Sequence, residues 1–482
     1  MFTRREALGA AGSVLVTGAA LTPLIAARSA ASDPPAAAPG AAGAGAATVE
    51  RFRLAMPVPP VLAPVSTAGG VDRYAMTMRT ATAEILPGLR TEVLTYNGQF
   101  PGPTVRARSG RPVVIRQHNA LTMPTSVHLH GASVAPSSDG DPMDTVAAGT
   151  SRTYRYPNRQ PHASLWYHDH AHHMESEHVY RGLSGAYLLR DRTEARLPLP
   201  AGAYDVPIAI RDAAFTEDGQ FSYAMGDRNR TTMLANGKAY PYFRVAARKY
   251  RFRLLNASNM RMLRLRLGDG GPIVQIGTDG GLLARPLTAT DVFLSAGERA
   301  DVVIDFSRYP VGTELVLENT APPGPADLVG QVLRFDVDRT ADDPSEIPAV
   351  LRTLPPLPEP TAERSVSMNM KPPQAFMDDK VYDPARVDAH VRYGASEVWT
   401  VTNASPEFPH NFHMHLVQFR VLERNGKDPN PSETGLKDTV NLMPGETVKL
   451  QATFDAYRGS YVYHCHMLDH SAMGMMATMK IA

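Results

Sequence analysis

The sequence contains a single cysteine, Cys465, among its 482 residues. An intrachain disulfide is therefore excluded, and so is any zinc finger or iron–sulfur site that needs several thiolates. Net charge is nearly absent as well, because 49 lysines and arginines oppose 48 acidic residues. This balance argues against nucleic-acid binding and against polybasic attachment to a membrane. Beyond the N-terminal segment no apolar run approaches the ~18 residues of a membrane span, so we expect no stable membrane insertion of the mature chain.

Glycine and proline are plentiful, at 37 and 41 residues, which favours turn-rich β structure over long helices. Two elements recur along the chain. Alternating, strand-like runs end in Asn-Ala at three places, with asparagines at Asn119, Asn256 and Asn403. A glycine that opens another alternating run also occurs three times, at Gly149, Gly297 and Gly445. The sequence therefore predicts an all-β protein of three homologous domains, each an antiparallel β-sandwich.

The N-terminus resembles an export signal. Arg4 and Arg5 precede 21 uncharged residues, which favours a cleaved twin-arginine signal peptide over an uncleaved membrane anchor. We expect this signal over 1–31 and a flexible Ala/Pro/Gly leader over 32–70. The three β domains are then predicted to occupy 71–195, 196–345 and 346–482. An exported protein of this kind would reside in the periplasm, in the cell envelope or outside the cell.

Ten of the 16 histidines lie in four tight clusters. Residues i and i+2 of a strand project from the same face, so each His-x-His motif presents two imidazoles together. The pairs are His128 and His130, His168 and His170, His413 and His415, and His464 and His466. The intervening residues should point to the opposite face: Leu129, Asp169, Met414 and Cys465. One such motif commonly reflects packing or chance, but four of them around the single cysteine indicate a metal centre.

Cys465 lies between two of these histidines. A thiolate combined with two imidazoles and a weak thioether is typical of a blue-copper electron-transfer site. His410 and His470 remain outside the pairs and can supply the imidazoles, and Met475 lies ten residues after Cys465. Because His464 and His466 flank Cys465, the backbone would connect this copper directly to whatever the eight paired histidines bind.

With these motifs the chain resembles a multicopper oxidase of the bacterial spore-coat laccase and bilirubin-oxidase group. The resemblance extends from about Asn97 to Met476 and includes the passages 248–253 and 275–281. It implies three cupredoxin-like Greek-key β-sandwich domains, with the middle domain as a copper-free spacer, and four copper ions. By this resemblance type 2 copper is bound by His128 and His413, the type 3 pair by His130, His168, His170, His415, His464 and His466, and type 1 copper by His410, Cys465, His470 and Met475.

Two positions depart from the family pattern. Asn411 stands where a proline commonly follows the first histidine of the third cluster, and Ser471 stands where an acidic residue often follows the last one. Asp139, nine residues after His130, resembles the family's acidic residue there and is our candidate for proton delivery; its alternative is an ordinary Asp-Gly turn. Asp438 is expected either to support the type 1 site and its substrate or to lie in a solvated loop.

The resemblance implies one-electron oxidation of phenolic or other aromatic donors at type 1 copper, coupled to reduction of dioxygen to water at a trinuclear cluster. The expected partners are thus a small-molecule electron donor, dioxygen and the twin-arginine export machinery. The alternatives are a cuprous oxidase for envelope copper tolerance and a non-catalytic cupredoxin scaffold of cell division. The scaffold would be expected to have lost copper ligands, and none is lost here. The segment 172–178 could bind labile copper, although a polar exposed stretch is favoured.

Overall fold

The computed structural model describes residues 49–482, so the predicted signal and the leader up to residue 48 lie outside the described residues. Strands dominate this part of the chain. Its α-helices are short, and none of the described helices is long and apolar enough to cross a membrane. They are α1 (Glu175–Arg181), α2 (Arg192–Ala195), α3 (Ala326–Val329) and α4 (Leu468–Ala472). Single 3-10 turns lie at Ala68–Gly70, Pro136–Ser138, Gly202–Tyr204, Phe306–Arg308 and Pro431–Glu433.

The strands up to residue 190 form two four-stranded sheets. They are β1 (Asp72–Ala83), β2 (Thr91–Tyr96), β3 (Gly102–Arg108), β4 (Val113–Asn119), β5 (Val127–His130), β6 (Ser151–Tyr156), β7 (Ala163–Asp169) and β8 (Ser184–Arg190). One sheet has the order β2-β1-β4-β6 and the other the order β3-β8-β7-β5. Apolar side chains of both sheets share one core.

The strands from 205 to 339 form an eight-stranded and a five-stranded sheet. They are β9 (Asp205–Phe215), β10 (Phe221–Ser222), β11 (Thr232–Ala235), β12 (Lys238–Ala239), β13 (Tyr242–Ala246), β14 (Lys249–Asn256), β15 (Leu263–Leu267), β16 (Ile273–Thr278), β17 (Gly281–Ala289), β18 (Asp291–Leu294), β19 (Arg299–Asp305), β20 (Glu314–Asn319) and β21 (Gln331–Arg339). The larger sheet follows β12-β11-β9-β14-β19-β16-β17, with β10 beside β9, and the smaller follows β13-β21-β20-β15-β18.

The strands from 362 onward form two five-stranded sheets. They are β22 (Ala362–Lys371), β23 (Gln374–Met377), β24 (Ala389–Val391), β25 (Ser396–Asn403), β26 (His410–Met414), β27 (Arg420–Arg424), β28 (Thr439–Leu442), β29 (Thr447–Thr453), β30 (Gly459–Cys465) and β31 (Met476–Ile481). The orders are β23-β22-β25-β29-β27 and β24-β31-β30-β26-β28. The chain is thus mostly β, as the turn-rich composition indicates.

The repeated asparagines form the same buried clamp three times. In each case the side-chain amide donates to two backbone carbonyls and the amide oxygen accepts from the N–H two residues on. The backbone carbonyl of each asparagine also accepts from the N–H of the repeated glycine, at Gly149, Gly297 and Gly445. The two sequence repeats are therefore two halves of one structural feature, which ties the end of a strand to the turn before the next.

The sheets are mixed rather than purely antiparallel, which corrects the sequence prediction. In the first sheet of each pair, the opening strand runs parallel to the strand that ends in the repeated asparagine: β1 with β4, β9 with β14, and β22 with β25. A parallel neighbour cannot be reached by a hairpin, so the intervening chain must cross over. In the first pair of sheets β3 makes this crossing, since it belongs to the opposite sheet.

The predicted flexible leader is wrong for residues 49–70. This stretch packs along the first two pairs of sheets, with backbone hydrogen bonds from Phe52 to Tyr240 (2.8 Å) and from Leu62 to Thr104 (2.9 Å). Met56 is buried in the core of the second pair. The composition of residues 49–70 resembles that of a linker, but isolated β-bridges to both neighbouring pairs of sheets fix the backbone of this segment.

Candidate metal centre

Eight imidazoles meet where the first and third pairs of sheets face each other. Within one sheet His128 lies opposite His168 in the β5–β7 register, and within another His413 lies opposite His464 in the β26–β30 register. All eight are buried. Rings from the two pairs of sheets stack on one another, with centroids 3.7 Å apart for His128 and His415 and 3.8 Å apart for His130 and His413.

The inward ring nitrogens divide the histidines into sets. His130 Nδ1 lies 3.1 Å from His466 Nε2, and His464 Nε2 lies 3.1 Å from His170 Nε2 and 3.3 Å from His415 Nε2. The Nε2 atoms of His128, His168 and His413 are buried and have no hydrogen-bond partner among the described residues. Each group of three histidines has its ligand atoms within 4.8 Å of one another, as in His170, His415 and His464.

Six of the eight outward ring nitrogens are held by backbone carbonyls or by two aspartates, and those of His170 and His466 have no partner among the described residues. His168 and His464 each donate from Nδ1 to the carbonyl of the residue that follows, at 2.8 and 3.0 Å. Such bonds fix which nitrogen carries the proton and leave the other as a free lone pair. Burial, with neighbouring imidazoles acting in the same direction, lowers the pKa of His168 to about 3, so the ring is neutral and able to accept a metal ion.

Asp139 and Asp438 make matching contacts across the interface. The Asp139 carbonyl accepts from His128 Nδ1 at 2.6 Å and its carboxyl Oδ2 accepts from His415 Nδ1 at 2.7 Å. The Asp438 carbonyl accepts from His413 Nδ1 at 2.7 Å and its carboxyl Oδ1 accepts from His130 Nε2 at 2.8 Å. Each aspartate thus orients one histidine of its own pair of sheets through its backbone and one histidine of the other pair through its side chain.

The two aspartates differ in their countercharge. Arg299, from β19 of the middle pair of sheets, donates to both carboxylate oxygens of Asp438 at 2.6 Å. Asp139 forms no ion pair with a lysine or arginine anywhere in 49–482; its buried carboxyl lies 2.7 Å from His415 Nδ1 and 3.7 Å from His128 Nδ1. Burial, with the charge of Asp141 adding to it, raises the pKa of Asp139 well above its usual range. Burial raises the pKa of Asp438 too, but Arg299 opposes that shift, so the Asp139 carboxyl is the better proton carrier of the two.

A second group of ligand atoms surrounds Cys465. Its Sγ lies 3.8 Å from His410 Nδ1 and 3.7 Å from His470 Nδ1, and these two nitrogens are 3.1 Å apart. Burial raises the pKa of Cys465 to about 12, so a bound metal ion would have to displace its proton. The backbone N–H of Met475 donates to His470 and its carbonyl accepts from Cys465, both at 3.1 Å.

The predicted alternation along the histidine strands is confirmed. Leu129 and Met414 pack in the apolar cores, on the face opposite the paired imidazoles. Asp169 accepts from Ser126 N and from His178 Nδ1, both in the protein interior. The end of β30 and the residue after it therefore present His464 and His466 to one group of ligands and Cys465 to the other.

Two sequence models of multicopper oxidase domains match residues 77–194 and 355–482. A laccase of Bacillus subtilis (strain 168) is 34% identical over 511 residues, covering 90% of this chain and 99% of that protein. The chain belongs to the multicopper oxidase family. A bilirubin oxidase of Albifimbria verrucaria is also 34% identical; the match covers 88% of this chain and 80% of the Albifimbria protein. A crystal structure of a laccase from Pediococcus acidilactici superposes with a TM-score of 0.84 at 30% identity, covering 90% of the oxidase and 95% of that chain.

These findings confirm the predicted laccase and bilirubin-oxidase resemblance and the cupredoxin fold. The oxidase is a laccase-like copper oxidoreductase that uses oxygen. Its histidine clusters fit copper, since buried, neutral imidazoles with free lone pairs converge with one thiol. The number of coppers and the ligands of each remain predictions.

Two expectations about individual residues need correction. Asp438 is fully buried, so it does not lie in a solvated loop, and its carboxylate contacts His130 rather than the group around Cys465. The favoured exposed stretch over 172–178 is wrong for Glu175, Ser176 and His178, which are buried. His178 bonds to Asp169, whereas His173 bonds to the Ala472 carbonyl. None of the three-residue ligand groups found in the described part of the chain includes a residue of this segment.

Sequence reasoning missed the charged residues that the middle pair of sheets sends to the cluster. Besides Arg299, these are Asp279 and Glu298, which form ion pairs with Lys437 Nζ at 3.0 and 2.9 Å. Lys437 lies just before β28, and it is buried together with the other three residues. The available signal was the second repeat, where Glu298 and Arg299 directly follow Gly297 at the start of a strand-like run.

Proposed function

We propose that the oxidase binds four copper ions and oxidises phenolic or other aromatic donors with dioxygen. Type 1 copper is bound by His410, Cys465, His470 and Met475. Type 2 copper is bound by His128 and His413. One type 3 copper is bound by His130, His168 and His466 and the other by His170, His415 and His464. The inward ring nitrogens support this division for His130 with His466 and for His170 with His415 and His464. The places of His128, His168 and His413 follow from the family resemblance.

The main support for this proposal is the end of strand β30. Because His464, Cys465 and His466 are consecutive at the end of β30, one short backbone segment reaches both groups of ligands. Bound copper would accept electrons singly from the donor and deliver four of them to dioxygen, which gives two waters. The protein's part is to hold Cys465 between its two neighbours, so that electrons need to cross only one residue of backbone in either direction.

The donor is proposed to approach at His470. This residue is 4% exposed, whereas His410, Cys465 and Met475 are fully buried. A donor that gives up one electron needs only contact near this imidazole and no organic pocket beside the trinuclear cluster. Turnover of phenols, bilirubin and Cu(I) compared on the copper-loaded protein tests the donor class; a preference for Cu(I) over every organic donor would favour the cuprous oxidase instead.

Protons are proposed to pass through Asp139. Its carboxyl bonds to His415 Nδ1, and burial favours its protonated form. A positioned acid of this kind contributes to catalysis when its pKa lies near the working pH. The carboxyl can thus carry protons while its backbone carbonyl keeps His128 in place.

The test of the metal assignment is Cys465→Ser. Cu(II) bound to a thiolate gives an intense visible charge-transfer band, so the wild type should be blue and the variant colourless and inactive, with the trinuclear coppers retained. A wild type that is fully loaded with copper and colourless would contradict the type 1 assignment.

Export by the twin-arginine machinery is proposed from Arg4 and Arg5. Replacing both by lysine should leave the protein in the cytoplasm, as measured by fractionation. Unchanged export of this variant would exclude the twin-arginine route.

A further inference from the structure

Glu175 is a buried carboxyl without a cation. Its residue is fully inaccessible to solvent, and no lysine or arginine in the described part of the chain forms an ion pair with it. Oε1 accepts a hydrogen bond from Ser471 Oγ at 3.1 Å, and Oε2 has no hydrogen-bond partner among the described residues. Burying a carboxyl with half of its hydrogen-bonding capacity unused costs free energy, so folding alone does not account for its presence.

The carboxyl lies between the turns that follow two of the histidine pairs. The Glu175 N–H donates to the carbonyl of Ala171, the residue after His170, at 2.9 Å. The Ser471 N–H donates to the carbonyl of Met467, the residue after His466, at 3.0 Å. The Glu175–Ser471 bond therefore joins the two helices, α1 and α4, that continue directly from the ligand-bearing strands.

The other acidic groups that face this carboxyl are Asp169 on β7 and Asp469 on α4. Both already accept strong hydrogen bonds: Asp169 from His178 at 2.8 Å, and Asp469 from Arg230 at 2.9 Å. Burial raises the pKa of Glu175 to about 8, and the charges of these two aspartates act in the same direction. At neutral pH the Glu175 carboxyl is therefore mostly protonated.

We propose that Glu175, on α1, is a second proton donor for the reduction of dioxygen. It takes the place of the acidic residue that related oxidases often have at the position of Ser471. This inference rests on the copper assignment proposed above. Each dioxygen consumes four electrons from the donor and four protons. The O–H bond of the Glu175 carboxyl breaks as an O–H bond forms on the oxygen being reduced, and the carboxylate then regains a proton from solvent. Ser471 Oγ keeps the carboxyl oriented throughout.

The test uses Glu175→Gln in the full-length, copper-loaded protein. In the first measurement, reduced protein is mixed with oxygen and the return of the blue band is followed across pH. In the second, steady-state turnover is measured with ferrocyanide as the donor, because ferrocyanide carries no proton. We expect reoxidation to slow by about a hundredfold, with the blue band and copper content unchanged. Glu177→Gln is the matched control, because Glu177 lies on the same helix but pairs with Arg181 at its surface, and it should behave as wild type.

Two further measurements separate proton donation from a structural role. Infrared spectra of the copper-free protein at pH 7 should contain a protonated-carboxyl band that Glu175→Gln lacks. The double variant Glu175→Gln, Ser471→Glu has its carboxyl on α4 instead of α1. The rate of reoxidation in this variant should recover to within about tenfold of wild type.

Wild-type reoxidation rates in Glu175→Gln, or no recovery in a double variant that keeps its copper and colour, would overturn the proposal. Failure of the copper assignment itself would be recognised separately, as missing copper or missing blue colour in the wild type.

Discussion

Gly297 connects the middle pair of sheets to a ligand histidine, and its replacement by alanine gives a sharp test of the centre. An added Cβ would lie 2.6 Å from Nδ1, 2.8 Å from Cε1 and 2.9 Å from Cγ of His466. Ordinary contact begins near 3.4 Å, so the ring must move by about 0.8 Å. A misplacement of about 1 Å near reacting groups can cost about a hundredfold in rate. We therefore expect Gly297→Ala to lower turnover by about that factor.

The repeated glycines provide matched controls. Gly149, Gly297 and Gly445 all have positive φ, at +74°, +83° and +76°, so alanine should cost each about 1–2 kcal/mol of stability. Only Gly297 has an atom near the new Cβ; nothing lies within 4 Å at Gly149 or Gly445. Turnover, copper content and thermal unfolding of the three alanine variants separate backbone strain from displacement of His466.

The blue band of Gly297→Ala should persist, because Cys465 faces the other group of ligands. If Gly297→Ala turns over at the rate of Gly445→Ala, the ring of His466 is not held against Gly297 and the geometry described for this histidine is refuted. Equal losses of turnover in all three variants would point to backbone strain as the cause.

Three further variants test separate parts of the site. Asp139→Asn should slow turnover by about a hundredfold without loss of copper or colour, whereas Asp144→Asn, at an exposed ion pair with Arg152, should not; unchanged turnover across pH would make Asp139 a turn residue only. Arg299→Met leaves the Asp438 carboxylate buried and unpaired, so thermal unfolding should register a loss of about 3–5 kcal/mol; a smaller loss than for Arg264→Met, whose ion pair is exposed, would contradict this role. Met475→Leu should raise the redox potential of the type 1 copper in a redox titration, because the thioether stabilises Cu(II). A shift in the Met476→Leu variant alone would show that Met476, and not Met475, supplies the sulfur ligand.

The features predicted correctly from sequence depend on short-range geometry. Alternation along a strand requires no knowledge of the fold, so the facing of His464 and His466 opposite Cys465 followed from their spacing. The repeated asparagines and glycines were visible for a similar reason, since each forms a local clamp between a strand end and the next turn. Strand direction was not predictable, because the period of two is the same in parallel and antiparallel pairs.

The features that were missed depend on contacts between distant parts of the chain. Asp438 lies 308 positions from His130, and Ser471 lies 296 positions from Glu175. In sequence, the Lys-Asp-Thr passage around Asp438 looks like any solvated loop. Nothing local distinguishes a buried acid from an exposed one, because the difference lies entirely in what the other domains place against it.

The middle pair of sheets is therefore more than a spacer, although none of its residues belongs to the ligand groups among the described residues. Asp139 and Asp438 have the same hydrogen bonds to the same kinds of histidine, and symmetry alone would give them the same protonation. Arg299 removes that equivalence: burial raises the pKa of Asp438 as well, but the Arg299 guanidinium opposes this shift and favours the carboxylate that holds His130 in place. Within 49–482 neither Asp139 nor Glu175 has such a partner, and burial raises the pKa of both. Through Arg299 the middle pair of sheets thus distinguishes the two aspartates: it favours the anionic form of Asp438 and leaves the proposed proton role to Asp139.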